Sequence, residues 1–88
     1  MRVRFTDFAE AALRRLSQDD DRYHSLKWAI SWYLRHDPYD GAVRCPAFPD
    51  EVLWVRVFGP YFRVLYAIGE DEVLVWNVAK TEDQDRSI

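Results

Sequence analysis

Three apolar segments, separated by very short loops, constrain the fold of this chain more than any other feature. They run from Leu53 to Phe58, from Tyr61 to Ile68 and from Val73 to Lys80. Each is rich in valine and aromatic residues, as β-strands are. Only residues 59–60 and residues 69–72 separate them, and loops this short join antiparallel neighbours. The segments therefore predict a three-stranded antiparallel meander.

Two amphipathic helices precede these strands. Thr6 and Asp7 are good N-cap residues, and the apolar residues between 8 and 16 recur at helical spacing. A second helix is predicted from about Arg22 to Arg35, because its apolar residues also recur every three or four positions. Pro38 disfavours helix in the residue before it and so ends this helix.

The remaining segments complete a single domain. Residues 2–5 alternate polar and apolar side chains, which predicts a short first strand. Residues 42–45 predict a short edge strand inside a connector that contains several prolines. Apart from this short edge strand, the order is β-α-α-β-β-β, an α+β fold with two helices packed on one face of a small antiparallel sheet. One domain covers residues 1–88, with residues 81–88 as a polar tail.

Composition narrows the class of protein. The 88 residues are 49% hydrophobic and 16% aromatic, enough for a core without metal or disulfide. Cys45 is the one cysteine, and neither a signal peptide nor a membrane span is evident, which predicts a cytoplasmic protein with no membrane partner. The net charge of −3 excludes a globally basic surface, although residues 22–69 hold six bases against four acids and allow a local basic site.

The two predicted hairpins sort the strand residues into two faces. A two-residue first turn puts Arg56 opposite Arg63. A four-residue second loop puts Leu65 opposite Trp76. One face then packs on the helices and contains Val55, Val57, Phe62, Val64, Tyr66, Ile68, Val73 and Val75. The other face contains Trp54, Arg56, Phe58, Arg63, Leu65, Trp76, Val78 and Lys80.

The second of these faces carries a candidate site for RNA or another anion. Arginine binds phosphate through its planar fork, and tryptophan stacks on bases. Arg56, Arg63 and Lys80 are therefore candidate catalytic residues. Trp54 and Trp76 are candidate RNA-binding residues. The structural alternative is that the arginines stack on the tryptophans or pair with acids of the tail.

Trp28 and Trp32 form a second apolar stripe on the second predicted helix, because four positions separate them. Such a stripe either packs within the chain, against the first helix or the connector, or contacts another protein. The sequence leaves open whether that protein is a different chain or a second copy.

No metal or cofactor is predicted. His24 and His36 have no cysteine or glutamate at ligand spacing. Cys45 has no neighbouring base except Arg44, so a structural thiol is the simpler interpretation. The sequence also has no phosphate-binding glycine loop and no nucleophile elbow.

Two motifs, together with the order of elements, resemble a known family. Asp37-Pro38 follows the second helix, and Phe62-Arg63-Val-Leu-Tyr66-Ala-Ile68 forms a strand. The last strand ends with a basic residue, Lys80. In these features the chain resembles the RelE/ParE superfamily of type II toxin–antitoxin toxins, including its HigB-like branch, over nearly its whole length.

The resemblance implies a toxin that inhibits growth by metal-independent, ribosome-dependent cleavage of mRNA and is neutralised by a cognate antitoxin. In that enzyme Arg63 would hold the scissile phosphate and stabilise the transition state, with Arg56 as its partner. Lys80 would stabilise charge or donate a proton. The antitoxin would lie across the side of the second helix that carries Trp28 and Trp32, or across the cationic sheet face.

Departures from the family pattern keep two further interpretations open. Trp54 stands where the ribonuclease members have a basic residue, and no tyrosine or histidine follows Lys80. ParE-like members keep the fold and inhibit DNA gyrase by binding, so a non-enzymatic toxin is one alternative. A toxin-fold protein-binding module without either activity is the other.

Overall fold

The secondary structure has the predicted α+β order. The computed structural model describes residues 1–46, 50–59 and 62–81. Its elements are β1 (Arg2–Phe5), α1 (Asp7–Ser17), α2 (Asp20–His36), β2 (Val43–Arg44), β3 (Leu53–Phe58), β4 (Phe62–Ile68) and β5 (Glu72–Lys80). The predicted short edge strand is present as β2. Of the predicted polar tail, residues 82–88 lie outside the described residues.

Side-chain caps fix where both helices begin. The Thr6 hydroxyl accepts a hydrogen bond from the Ala9 N–H at 3.0 Å, and the Asp19 carboxylate accepts one from the Arg22 N–H at 2.8 Å. Asp19 is therefore the N-cap of α2, so this helix starts two residues before the predicted position. At the other end Asp37 caps α2, directly before Pro38. None of the helices in the described residues is long and apolar enough to cross a membrane.

The five strands form one mixed sheet in the order β1-β5-β4-β3-β2. The three pairs from β2 to β5 are antiparallel, as predicted. The pair of β1 with β5 is parallel, so the expectation of an antiparallel sheet is wrong at this edge. Phe5 is followed at once by the cap of α1, which leaves no room for a hairpin back along β1. The first strand therefore joins the last one at the edge of the sheet.

The two helices cover one face of the sheet, and the core lies between the helices and this face. It contains Ala9, Leu13, Tyr23, Ile30, Leu34, Val64, Tyr66, Val73, Val75 and Val78. Lys27 on α2 forms an ion pair with Glu10 on α1 and also donates to the Tyr23 hydroxyl. The hydrogen bond between Lys27 and Glu10 lowers the pKa of Glu10 and raises the pKa of Lys27. The pair fastens α1 to α2 at the edge of the core.

The predicted register between β3 and β4 is wrong by one residue. Phe58 pairs with Phe62, so three residues, rather than two, connect the strands. Arg56 therefore pairs with Val64, and Arg63 with Val57. A slip of one residue moves every side chain of a strand to the other face. Trp54, Arg56 and Phe58 consequently lie on the helix side, and Val55 and Val57 do not.

A β-bulge in β5 changes the second predicted register. Ile68 pairs with Val73 as predicted, and Tyr66 pairs with Val75. Leu65, however, pairs with Asn77, so Trp76 is an extra residue. Beyond the bulge the predicted faces are reversed. Val78 belongs to the core, and Lys80 shares a face with its partner Phe62 on the helix side.

Candidate functional site

The structure divides the predicted cationic cluster between the two faces of the sheet. The helix-side face carries α1 and α2, and the opposite one is called the helix-free face here. Trp54, Arg56 and Lys80 lie on the helix-side face. Arg63 lies on the helix-free face, and Trp76, which follows the helix-side residue Val75, alternates toward it. The predicted juxtaposition of Arg56, Arg63 and Lys80 is therefore wrong, because both register errors act on it.

Arg56 is held in place on the helix-side face. Its side chain is only 13% exposed, and its guanidinium carbon lies 5.4 Å from the ring centre of Tyr33 and 4.8 Å from that of Phe58. The same group donates to the Asp37 carbonyl at 3.5 Å and lies 3.7 Å from the Asp40 carboxylate. Two rings, a carbonyl and an ion pair fix this cation under the segment that follows α2.

Other helix-side residues hold the same segment, residues 37–46, which we call the connector. The Tyr66 hydroxyl donates a buried hydrogen bond of 2.6 Å to the Pro38 carbonyl. Burial raises the pKa of Tyr66 to about 12. The Tyr39 ring meets Trp54 edge-on, with 5.7 Å between ring centres, and the Arg44 guanidinium carbon lies 5.9 Å from the ring centre of Trp54. These contacts dock the connector on β3 and β4.

The turn in the connector is shaped to receive Arg56. Gly41 has φ +69°, a left-handed conformation that favours glycine. A Cβ atom at Gly41 would lie 3.6 Å from the Arg56 Nε, so the backbone of this turn runs close along the arginine. The Asp37 carboxylate accepts a hydrogen bond from the Tyr39 N–H at 3.1 Å and fixes the start of the turn. Asp37-Pro38 thus works together with Tyr66 and Arg56 as one structural unit.

The helix-free face presents polar hydrogen-bond donors within an apolar surface. Arg63 Nε and Trp76 Nε1 are both buried, and neither has a hydrogen-bond partner within the described part of the chain. On the same face Val43 is 67% exposed and Val57 is 54% exposed. Val55, Leu65 and Leu74 are partly buried there. A buried N–H without a hydrogen-bond partner carries a desolvation cost that an acceptor oxygen would relieve.

Trp28 and Trp32 remain exposed on α2, where the sequence left open packing against α1 or the connector. Trp28 is 67% exposed and Trp32 is 40% exposed. Their rings stack with 6.4 Å between centres, and His36 stacks on Trp32 at 4.0 Å. The His36 Nδ1 lies 2.8 Å from the Trp32 carbonyl. An aromatic row thus runs along the outer side of this helix.

Metal-binding groups do not come together in the described residues. No group of three or more His, Cys, Asp or Glu side chains is arranged to hold a metal ion in residues 1–46, 50–59 and 62–81. Cys45 is a partly buried free thiol next to the edge strand, and its N–H donates to the Leu53 carbonyl at 2.9 Å. Comparison with known protein families and with curated proteins gives no match for this chain.

Proposed function

We propose that this chain is a RelE/ParE-like toxin of a type II toxin–antitoxin module that works in the cytoplasm and acts by binding another protein, without cleaving RNA. The observation that carries this proposal is the division of the cations. Arg56 is fixed beneath the connector on the helix-side face, whereas Arg63 lies on the helix-free face. Of the three candidate catalytic cations, only Arg63 is on that face.

The chemistry of phosphodiester cleavage supports this choice. Metal-independent cleavage needs several charged or acid–base groups around one phosphate, so that the growing negative charge is stabilised and a proton is removed. On the helix-free face Arg63 and the Trp76 indole carry unpaired N–H donors, and neither group is a base at neutral pH. The carboxylate that β5 contributes to this face, Glu72, is already bound by Arg2 and Arg4 at 3.2 Å. The Arg63 and Trp76 donors therefore suit recognition of an oxygen acceptor.

The surroundings of Arg63 favour a protein partner. Exposed Val57 is the strand partner of Arg63, whose Nε is unpaired, and exposed Val43 lies two strands away on the same face. Protein interfaces combine an apolar centre with arginine and tryptophan anchors. We propose that the partner inserts an apolar segment whose carboxylate or main-chain carbonyl accepts from Arg63 and Trp76. DNA gyrase, which ParE-like toxins inhibit by binding, is the candidate target. The cognate antitoxin would neutralise the toxin by covering this face.

Cleavage of mRNA, ribosome-dependent as in the nuclease members of the family, is the second candidate function. Arg63 itself favours it, because an arginine with an unpaired Nε on the helix-free face can hold a phosphate. Here Arg63 would be the phosphate clamp, and the remaining groups would have to come from the ribosome.

Induced expression in bacteria separates these functions. We would compare the wild type with Arg63→Glu and, as a matched control, with Arg15→Glu, which reverses an exposed charge on α1. We expect the wild type and the control to arrest growth, and Arg63→Glu not to. Primer extension on an abundant mRNA should show no new ends.

Two results would overturn the proposal. New mRNA ends that disappear in Arg63→Glu would identify a ribonuclease. An absence of growth arrest in the wild type would exclude a toxin. Purified protein should also inhibit DNA supercoiling by gyrase, and Arg63→Glu should lose at least about tenfold in potency, since a buried arginine contact is worth about 1.5–3 kcal/mol.

A further inference from the structure

We infer that the outer face of α2 is a self-complementary interface through which two copies of this chain associate, with their α2 helices antiparallel. This α2 outer face consists of Asp21, His24, Trp28, Trp32 and Arg35, which share one side of the helix because they are three or four residues apart. The opposite side of α2 is buried in the core through Tyr23, Ile30 and Leu34.

Every residue of the α2 outer face is exposed. Trp28 is the most exposed aromatic residue of this helix, at 67%. Large aromatic side chains left in water are the groups that gain most from burial in an interface. Trp28 therefore marks the centre of the face.

The spacing around Trp28 is symmetric and pairs opposite charges. Asp21 lies seven residues before Trp28 and Arg35 lies seven residues after it, which is about 10 Å along the helix in each direction. A two-fold axis through Trp28 brings Asp21 of one copy opposite Arg35 of the other, and does so twice. The residues four positions before and after Trp28, His24 and Trp32, then meet each other across the axis.

Both charges are available for these pairs. In the described part of the chain, neither Asp21 nor Arg35 has an ion-pair partner, whereas the neighbouring Asp20 is bound by Arg14 at 3.1 Å. Between Arg22 and His36 the helix contains no acidic residue. Parallel association would oppose Arg35 to Arg35 and is disfavoured, so the charges select the antiparallel arrangement. They also favour a second copy over an acidic partner, because the copy satisfies Asp21 as well.

The interface is small, so the dimer is weak. One helix face on another buries less than the roughly 1,200 Å² of standard specific interfaces. We expect a dissociation constant on the order of 100 μM. This concentration lies within the range of analytical ultracentrifugation, which would be run from about 10 μM to about 1 mM.

A first pair of variants tests the tryptophan centre. Trp28→Ala should weaken self-association at least tenfold. Phe8→Ala, which removes a similarly exposed (66%) ring from α1, should leave it unchanged. Circular dichroism should be unaltered in both, since neither ring is in the core. A monomer at about 1 mM, or equal effects of the two variants, would overturn the inference.

A charge exchange tests the symmetry itself. Asp21→Arg and Arg35→Asp each convert two attractions into two repulsions, and each should weaken the homodimer about tenfold, which is about 0.7 kcal/mol for each of the two altered contacts. The double variant should restore the wild-type affinity. An equimolar mixture of the two single variants should form a heterodimer, because one chain then carries arginine at both positions and the other carries aspartate at both.

Failure of both the double variant and the mixture to associate would overturn the antiparallel arrangement. Since these measurements follow self-association of the purified chain and involve no toxin activity, their result is independent of the proposed function.

Discussion

Arg56 and Arg63 lie on neighbouring strands of one sheet, yet their surroundings have almost nothing in common. Arg56 is on the helix-side face, between the Tyr33 and Phe58 rings and under the connector. Arg63 is on the helix-free face, beside exposed Val57 and with an unpaired Nε. The same residue type is an anchor for the fold on one face and, in the function proposed above, a contact for a partner on the other.

This difference shows that the role of a cationic side chain in a sheet depends on the face on which the side chain lies. On the helix-side face the connector satisfies the donors of Arg56, which makes this arginine a part of the fold. On the helix-free face the Arg63 Nε and the Trp76 Nε1 are buried without a hydrogen-bond partner among the described residues. The contrast between the two faces predicts how much substitution of each arginine should change the free energy of unfolding.

The largest expected effect is a difference between two alanine variants. Arg56→Ala should lower the free energy of unfolding by about 2 kcal/mol. It removes two ring contacts and the guanidinium that donates to the Asp37 carbonyl of the connector. Arg63→Ala should change it by less than about 0.5 kcal/mol, because the lost packing is offset by removal of a buried N–H that has no partner in the described residues. Urea unfolding followed by tryptophan fluorescence measures both. Equal losses would break the comparison, since they would mean that both arginines support the fold.

The second prediction concerns the hydrogen bond that docks the connector. Tyr66→Phe leaves the Pro38 carbonyl without its donor and should cost about 1–2 kcal/mol. The pKa of Tyr66 is raised from 10.0 to about 12 in the folded chain, so the folded state keeps a proton that the unfolded state loses. Stability should therefore fall as pH rises above about 10, by up to about 1.4 kcal/mol per pH unit.

The matched control for this pH dependence is Tyr39→Phe, which changes an exposed hydroxyl of the connector. Unfolding in urea at several pH values between about 9 and 12 should show a shallower loss of stability for Tyr66→Phe than for Tyr39→Phe or the wild type. Parallel curves for all three proteins would contradict the assignment of the slope to Tyr66.

The smallest expected effect concerns the ion pair between the two helices that cover the sheet. Glu10→Gln removes the charge that binds Lys27 and should cost about 0.5 kcal/mol, because both side chains are partly exposed. The pKa of Glu10 is lowered in the folded chain, so its contribution is present above about pH 4.5 and is lost as the pH falls through the lowered value. Thermal unfolding between about pH 3 and 7 should show a weaker acid dependence in Glu10→Gln. The conservative control, Glu10→Asp, should retain most of it.

The elements of this fold could be predicted from the sequence, because each has a strong local signal. The cap at Thr6, the helical spacing of the apolar residues and the valine-rich strands all specify local structure. The partner of β1 could not be predicted in this way. Its parallel pairing with β5 joins residues some 70 positions apart, and no short-range pattern encodes such a contact.

The candidate site was harder to predict than the fold. The face on which each site residue lies depends on two irregularities of one residue each, one in the first turn and one in β5. Gly59-Pro60 predicts a two-residue turn, yet Phe58 pairs with Phe62, and Trp76 has the strand-forming character that hides a bulge. The extra residue in the first turn and the extra residue in the bulge each move the side chains beyond them to the opposite face of the sheet. Arg63 was predicted on the correct face, since it lies between these two irregularities. Arg56 and Lys80 were not, since they lie outside them.

The pairing of the first strand with the last has a consequence for synthesis on the ribosome. β1 lies at the edge of the sheet and contacts only β5 among the strands, so it has no strand to pair with until residues 72–75 of β5 have been made. Until then the helices lack the core residues that β5 supplies, Val73, Val75 and Val78. The last strand therefore completes the core and the pairing of β1 together, so the apolar sides of the helices are fully covered only after β5 has been translated.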